Sequence, residues 1–193
     1  MYDIIVENFE NIKRQQKIVR TLAANGVIAA LYVVLTLITQ PIAYEYMQFR
    51  VSEFLCLLVF FNPWYSCGLT LGCLLANLFS TVGPLDIAMG TGATLIACII
   101  MIFSSKIKLL FVNGLVPCLV NAAIVPAIIY LSALGAEPFE LTTGIYFMMF
   151  GWVFLGEFLA IYGVGYPFFM ILSKRHPRFE QIVLATRNAD FKM

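Results

Sequence analysis

The stretch QFRVSEFLCLLVFF, residues 48–61, places an arginine and a glutamate directly before an uninterrupted apolar run. Arg50 and Glu53 are three positions apart, so their side chains would be neighbours within a helix. Such a pair lowers the cost of placing charged groups where a chain enters a membrane. The spacing predicts either an ion pair that fixes the preceding loop against a helical bundle, or a polar frame at the mouth of a pocket.

The composition of the whole chain agrees with this apolar stretch. Of the 193 residues, 61% are hydrophobic and 12% are charged, whereas about a quarter of the residues in an ordinary soluble domain are charged. The sequence therefore predicts an integral membrane protein. The formal net charge of +1 provides no field that would attract nucleic acid, so nucleic-acid binding is not expected.

Six apolar segments predict an all-α bundle of six transmembrane helices. They cover residues 21–40, 51–61, 64–81, 85–103, 107–134 and 142–173. The second segment is too short to cross the bilayer alone, so we expect neighbouring helices to shield it. The predicted organisation is an amphipathic cytoplasmic helix over residues 1–20, a transmembrane domain over residues 21–173 and a cytoplasmic tail over residues 174–193.

Lysine and arginine cluster at three places along the chain. These clusters lie in residues 13–20, 106–108 and 174–178. If all six segments cross the bilayer, the three clusters fall on the same side, which the positive-inside rule identifies as the cytoplasm. The sequence therefore predicts a multi-pass protein of the cell membrane with both termini in the cytoplasm.

Sequence motifs typical of catalysis are missing. The chain has no GxxxxGK[ST] stretch for ATP hydrolysis, and its single histidine, His176, is far in sequence from all five cysteines. Neither a standard zinc site nor a Ser-His-Asp triad can be assembled. We therefore expect no enzymatic activity, no metal and no cofactor, and we interpret the cysteines as buried apolar side chains.

Polar residues are rare within the apolar segments, and such residues usually mark function because they are costly in lipid. The candidates for substrate binding are Gln48, Arg50, Glu53, Asn77, Asp86, Asn121 and Glu157. By the rise per residue of a helix, they fall in the outer half of the membrane, which predicts a polar pocket open to the outside. Glu157, in FLGEFLA, has no basic residue in its own segment.

Other roles remain open for three of these residues. Asn77 could bond the backbone of a neighbouring helix, and Asn121 could satisfy carbonyls freed by the flanking prolines. Asp86 could be a helix N-cap after the Gly83-Pro84 turn, a role compatible with ligand contact.

Small residues recur every four positions on two segments. Gly26 and Ala30 lie on the first segment, and Gly68, Gly72 and Ala76 lie on the third. Such stripes allow close helix packing in lipid. On the third segment we expect packing inside the bundle, whereas the stripe on the first could also receive a partner protein.

Three stretches together resemble the queuosine-precursor transporter family, QueT. They are QFRVSE at residues 48–53, GLTLGCLLANLFSTVGPLDIAMGTGATL at residues 68–95, and GE at residues 156–157. The resemblance covers about residues 26–173. It implies a substrate-binding S component of an energy-coupling-factor (ECF) transporter, which works with a transmembrane coupling protein (T component) and two cytoplasmic ATPases in a bacterial cell membrane.

The resemblance also implies a ligand, a 7-deazaguanine derivative captured at the outer face. A carboxylate can accept both N–H donors on the edge of this base, and Glu157 is the first candidate, with Glu53 second. Asp86 is available for an aminomethyl cation, if the ligand carries one. The AxxxA-type coupling motif of the family corresponds to Gly26 and Ala30. Two alternatives stay open: a stand-alone secondary transporter of a small base or cation, and a membrane scaffold that transports nothing.

Overall fold

Six helices make up the regular structure of the described residues. A computed structural model describes residues 2–39, 49–80, 83–107, 109–133 and 143–175, and within these ranges no strand occurs. In chain order the helices are α1 (Tyr2–Ile38), α2 (Val51–Phe61), α3 (Tyr65–Asn77), α4 (Asp86–Ile107), α5 (Leu110–Ala133) and α6 (residues 143–175). The predicted all-α class is confirmed.

Four of these helices contain stretches long and apolar enough to cross a membrane. They are Val6–Ile38, Asp86–Ile107, Leu110–Ile129 and Thr143–Leu172. A straight crossing needs about 20 residues, which excludes α2 and the 13-residue α3 on length alone. Of the six predicted crossings, four therefore correspond to described helices of sufficient length, and the count of six is not confirmed. The two short helices pack among the long ones.

Helix α1 continues without interruption through the segment that we predicted as a separate surface helix. It has 37 residues, a length of about 55 Å. The chain contains no proline between Tyr2 and Ile38, and a single glycine, Gly26, costs only about 1 kcal/mol inside a helix. The charged N-terminal turns and the apolar segment therefore form one helix, and a distinct amphipathic element over residues 1–20 is not observed.

Helix α2 lies inside the bundle. It begins as a 3-10 helix over Val51–Leu57 and ends as a short α-helix over Leu58–Phe61, and residues 52–59 are all buried. A 3-10 run of seven residues is uncommon, since its hydrogen bonds are poorer than those of an α-helix. It packs against α1 and against the part of α6 around Gly165, where a Cβ atom would lie 2.5 Å from the Cβ of Phe54.

The small residues of α3 pack against α1. A Cβ atom on Gly68 would lie 2.6 Å from the backbone oxygen of Asn25, and one on Gly72 would lie 2.7 Å from the Cβ of Tyr32. The two backbones therefore approach more closely than any larger residue would allow. This contact confirms the expectation that the stripe on α3 packs inside the bundle.

The long helices α4, α5 and α6 form the other side of the bundle, with α5 packed between its two neighbours. Both α4 and α6 contain a π-helical segment, at Asp86–Gly90 and Leu159–Gly165, and such segments are frequent at functional sites. Large apolar side chains cover the outer surface of the bundle, as expected for contact with lipid; they include Leu71, Leu75, Ile96, Ile99, Phe103, Leu119, Phe147 and Ile171.

Candidate functional site: a buried polar cluster

The polar residues singled out in the sequence meet in the interior of the bundle. Arg50, Glu53, Asn77, Asp86, Asn121 and Glu157 are all at most 5% exposed. They belong to five different helices or their ends, although they are spread over more than 100 positions of the chain. Gln48, the seventh candidate, lies outside the described residues.

Arg50 joins three parts of the chain. Its Nη1 donates to Oδ1 of Asn77 at 3.1 Å, and its Nη2 donates to Oδ2 of Asp86 at 3.2 Å. The side-chain amide of Asn77 in turn donates to the backbone oxygen of Asp86 at 3.2 Å. These bonds hold the N-terminal ends of α2 and α4 against the C-terminal end of α3.

Of the two interpretations of Arg50 and Glu53, the ion pair is not observed, because the ion pair of Arg50 is formed with Asp86. Both residues line the same cavity, in agreement with the alternative of a polar frame. Arg50 lies before the first turn of α2, with an extended backbone at φ −93° and ψ 100°. The rule that places residues i and i+3 side by side applies inside a helix, so it does not hold here.

Asp86 does not serve as an N-cap. It lies within the first turn of α4, and the cap position belongs to Leu85, which makes no side-chain cap bond. The Asp86 carboxylate instead accepts from Arg50 and, at 2.5 Å, from the Ser80 hydroxyl. Gly90 makes room for this arrangement, since a Cβ atom there would lie 2.8 Å from Oδ1 of Asp86.

Glu53 is held by donors from two helices. The Tyr32 hydroxyl of α1 donates to one carboxylate oxygen of Glu53, and the Cys56 thiol donates to the other at 3.2 Å. One turn along α1, Thr36 shares a 2.7 Å hydrogen bond with Ser52. Polar contacts thus fasten α2 to α1 along two successive turns.

Glu157 has one satisfied oxygen and one unsatisfied oxygen. The side-chain amide of Asn121 donates to its Oε1 at 2.8 Å, which ties α6 to α5. The other oxygen, Oε2, is buried and has no hydrogen-bond partner among the described residues. Asn121 therefore orients the carboxyl group. Bonding to kink carbonyls was one of the roles that the sequence left open for it.

Together these side chains enclose a small cavity. It is lined by Arg50, Glu53, Asp86, Gly90, Thr94, Asn121, Val125 and Glu157, and its empty space, including the open mouth, is about 240 Å³. Most of this lining is polar, in contrast to the apolar helices around it. The interior thus holds a small polar site that offers hydrogen-bond acceptors and one guanidinium group.

Sequence reasoning missed Tyr32, Gly90, Thr94 and Val125. Tyrosine and threonine are inexpensive in membrane helices, so neither stands out as a single residue. A signal was nevertheless present on α1, where Asn25, Tyr32 and Thr36 follow a spacing of seven and four. This spacing puts three polar side chains on one face of an apolar helix.

The proposed docking stripe on α1 faces away from the cluster. Gly26 and Ala30 are exposed, and no atom lies within 4 Å of the place where a Cβ of Gly26 would stand. The opposite face, with Ala29 and Tyr32, packs against α3. The stripe is therefore not used for packing between the described helices.

The fold and the cluster define an apolar multi-helix protein with helices long enough to cross a membrane and a set of buried polar groups, as expected of a membrane transporter. The family model for the QueT transporter matches residues 22–174, and the chain belongs to this family. It is also 40% identical, over 73 residues, to the queuosine precursor transporter QueT of Lactococcus lactis subsp. cremoris (strain MG1363).

That alignment covers 37% of this chain and 43% of the relative, so the matched part spans less than half of the relative's length. No solved structure gives a significant match.

Proposed function

We propose that this chain is the substrate-binding S component of an ECF transporter and that it captures a queuosine precursor, a 7-deazaguanine derivative, at the outer face of the cell membrane. Membership in the QueT transporter family supports the transport of such a precursor. The assignment as an S component rests on the sequence resemblance and on the buried polar cluster. A T component and two ATPases would supply the energy for uptake.

The observation that carries the proposal is the half-satisfied carboxyl group of Glu157. A buried acceptor without a donor is costly, by about 1–3 kcal/mol. The edge of a 7-deazaguanine presents adjacent N–H donors, which a carboxyl group can accept. In our proposal Asn121 keeps Oε1 in place, and the ligand supplies donors to Oε2.

The other candidates then take supporting roles. Asn77 and Asp86 hold Arg50 in place, and the guanidinium group lies at the cavity together with Glu53. A carbonyl group on the ring is the natural acceptor for Arg50 or for an amide donor. Asp86 is already paired with Arg50, so Glu53 is the better candidate for a cationic substituent.

Binding requires the cavity to widen. The closed space inside it has room for about one water molecule, and a bicyclic base is several times larger.

Binding to the purified full-length chain tests the assignment of Glu157. Glu157→Gln keeps the size of the side chain but exchanges an acceptor oxygen for an amide donor. The lost charged hydrogen bond and the stranded donor should together cost about 2–4 kcal/mol, which is roughly a 30- to 700-fold loss of affinity for a 7-deazaguanine.

Glu10→Gln, on the exposed N-terminal part of α1, is the matched control, and it should bind like the parent. Calorimetry on the three proteins decides the question. Parent-like affinity in Glu157→Gln would contradict the proposal.

A further inference from the structure

Helix α1 is longer than a membrane crossing requires. It has 37 residues, whereas about 20 residues cross the hydrocarbon core, so an arm of roughly 25 Å extends beyond the bilayer. This arm is the N-terminal part that carries the basic residues 13–20, and in the described part of the chain its residues 10–16 and 18–20 are exposed. A helix of this length is only marginally stable in water by itself, and packing against a partner stabilises it.

Apolar side chains of the arm line up with the small-residue stripe of α1. Successive residues of an α-helix are rotated by about 100° around its axis, so positions spaced by three, four or seven share a face. One exposed set, which we call the outer face of α1, falls within an arc of about 60°: Ile12, Val19, Ala23, Gly26 and Ala30. This spacing is typical of a helix that packs lengthwise against another helix.

The charged residues of the arm point away from the outer face. All six charged positions from Glu7 to Arg20 lie about 90° or more from the centre of that face. Lys13 and Arg20 are the nearest of them, and both lie on the same side, so the face fits a helix that is apolar along the contact and acidic along one edge. A lipid surface is not the occupant, because the uninterrupted helix that crosses the bilayer carries the arm away from it.

We propose that the T component docks along the whole outer face of α1, so that its contact continues from Gly26 and Ala30 within the membrane onto Ile12 and Val19 beyond it. This inference rests on the proposed function and adds a water-exposed half to the docking surface. Inside the bilayer, small residues permit close packing, but burial from lipid supplies no hydrophobic driving force. Outside the bilayer, burial of Ile12 and Val19 removes apolar surface from water and stabilises the complex.

Two isoleucines of the arm provide a matched test. Ile12 lies on the outer face and Ile18 lies about 110° from its centre, yet both side chains are 51% exposed. In a titration of the full-length chain with the T component in detergent micelles, Ile12→Ser and Val19→Ser should each weaken binding about 10-fold or more. Ile18→Ser should bind the T component like the parent. All three variants should bind a 7-deazaguanine like the parent, because the arm does not line the cavity.

Cross-linking identifies what covers the outer face. A photoreactive benzoylphenylalanine in place of Ile12 or Val19 should cross-link the chain to the T component, and one in place of Ile18 should not. Cross-links from positions 12 and 19 to a second copy of the chain or to its own C-terminal residues would overturn the inference. So would Ile12→Ser and Val19→Ser variants that bind the T component as tightly as Ile18→Ser does.

These outcomes leave the proposed function intact as long as the parent binds both a 7-deazaguanine and the T component. A parent that binds a 7-deazaguanine but no T component would overturn the assignment as an S component and the inference with it.

Discussion

Arg50 is the residue that joins the most elements of the polar cluster. It is buried, and its guanidinium group contacts Asn77 at the end of α3 and Asp86 at the start of α4. A buried ion pair contributes little net stability, because desolvation of both charges opposes their attraction. Removal of one partner is much more damaging, since the other charge then stays buried without compensation.

This asymmetry gives a prediction for Arg50→Met. The variant should lose about 3–5 kcal/mol of stability, because Asp86 remains buried without its cation. Adding Asp86→Asn should restore a substantial part of the loss by removing the stranded charge. Lys13→Met, on the exposed part of α1, is the control and should change little. Denaturation in mixed detergent micelles measures all four proteins, and a double variant no more stable than Arg50→Met would contradict the assigned pair.

For single residues, the sequence predicted which side chains belong to the polar cluster better than it predicted which of them bond to each other. Glu157 and Asn121 stand out because a polar group in an apolar segment is costly and rare. Their mutual bond, across 36 positions, depends on how α5 and α6 are rotated against each other. A single sequence carries no direct record of that rotation, and the same holds for Arg50 and Asp86.

Helix α1 has one face that packs inside the bundle and one that is exposed. Its inner face packs Ala29 and Tyr32 against Gly72, and its outer face exposes Gly26 and Ala30. A substitution at Gly72 of α3, which contacts the inner face, and one at Gly26 on the outer face should therefore have different outcomes.

Gly72→Ala should destabilise the bundle by about 1–3 kcal/mol, because the new methyl group would lie 2.7 Å from Tyr32. Gly26→Ala has nothing within 4 Å of the added Cβ and should be neutral or up to about 1 kcal/mol stabilising, owing to the better helix propensity of alanine. The two free energies of unfolding are compared under the same micellar conditions. Equal effects at both glycines would show that the packing of α1 on α3 is not as described.

The exposed face of α1 is also the proposed docking surface for the T component. Ala30→Trp should fill the groove that close helix contact requires and abolish co-purification with that partner. Ile99→Trp, an exposed apolar position on α4, is the matched control and should keep the partner bound. Both variants should bind the substrate like the parent. If the T component still co-purifies with both Ala30→Trp and Gly26→Trp, the exposed face of α1 is not its docking surface.

Element boundaries were predicted well where proline, glycine or charge interrupts an apolar run. The bounds of α2 follow from Arg50 and from Asn62-Pro63, and the structure gives Val51–Phe61 as expected. The third segment ends earlier than its apolar pattern indicated, at Asn77 and not at Thr81. The side chain of Asn77 bonds the backbone of Asp86 there, and this tertiary contact could not be foreseen from hydropathy.

The whole molecule combines long membrane-spanning helices with two short helices placed among them. The short helices could not cross a bilayer alone. The position of α2 brings Arg50 and Glu53 to the polar cavity, and Asn77 at the end of α3 bonds Arg50 there. The sequence offers no P-loop with which this chain could use ATP. The proposed function assigns ATP hydrolysis to partner subunits.

Uptake by proteoliposomes tests this account most directly. Vesicles that contain only this chain should bind a labelled 7-deazaguanine without concentrating it, and added T component and ATPases should give ATP-dependent accumulation. Vesicles with the Glu157→Gln chain and the same partners control for leakage and should accumulate little. Concentrative uptake by the chain alone, driven by a proton or sodium gradient, would contradict the account and identify a secondary transporter instead.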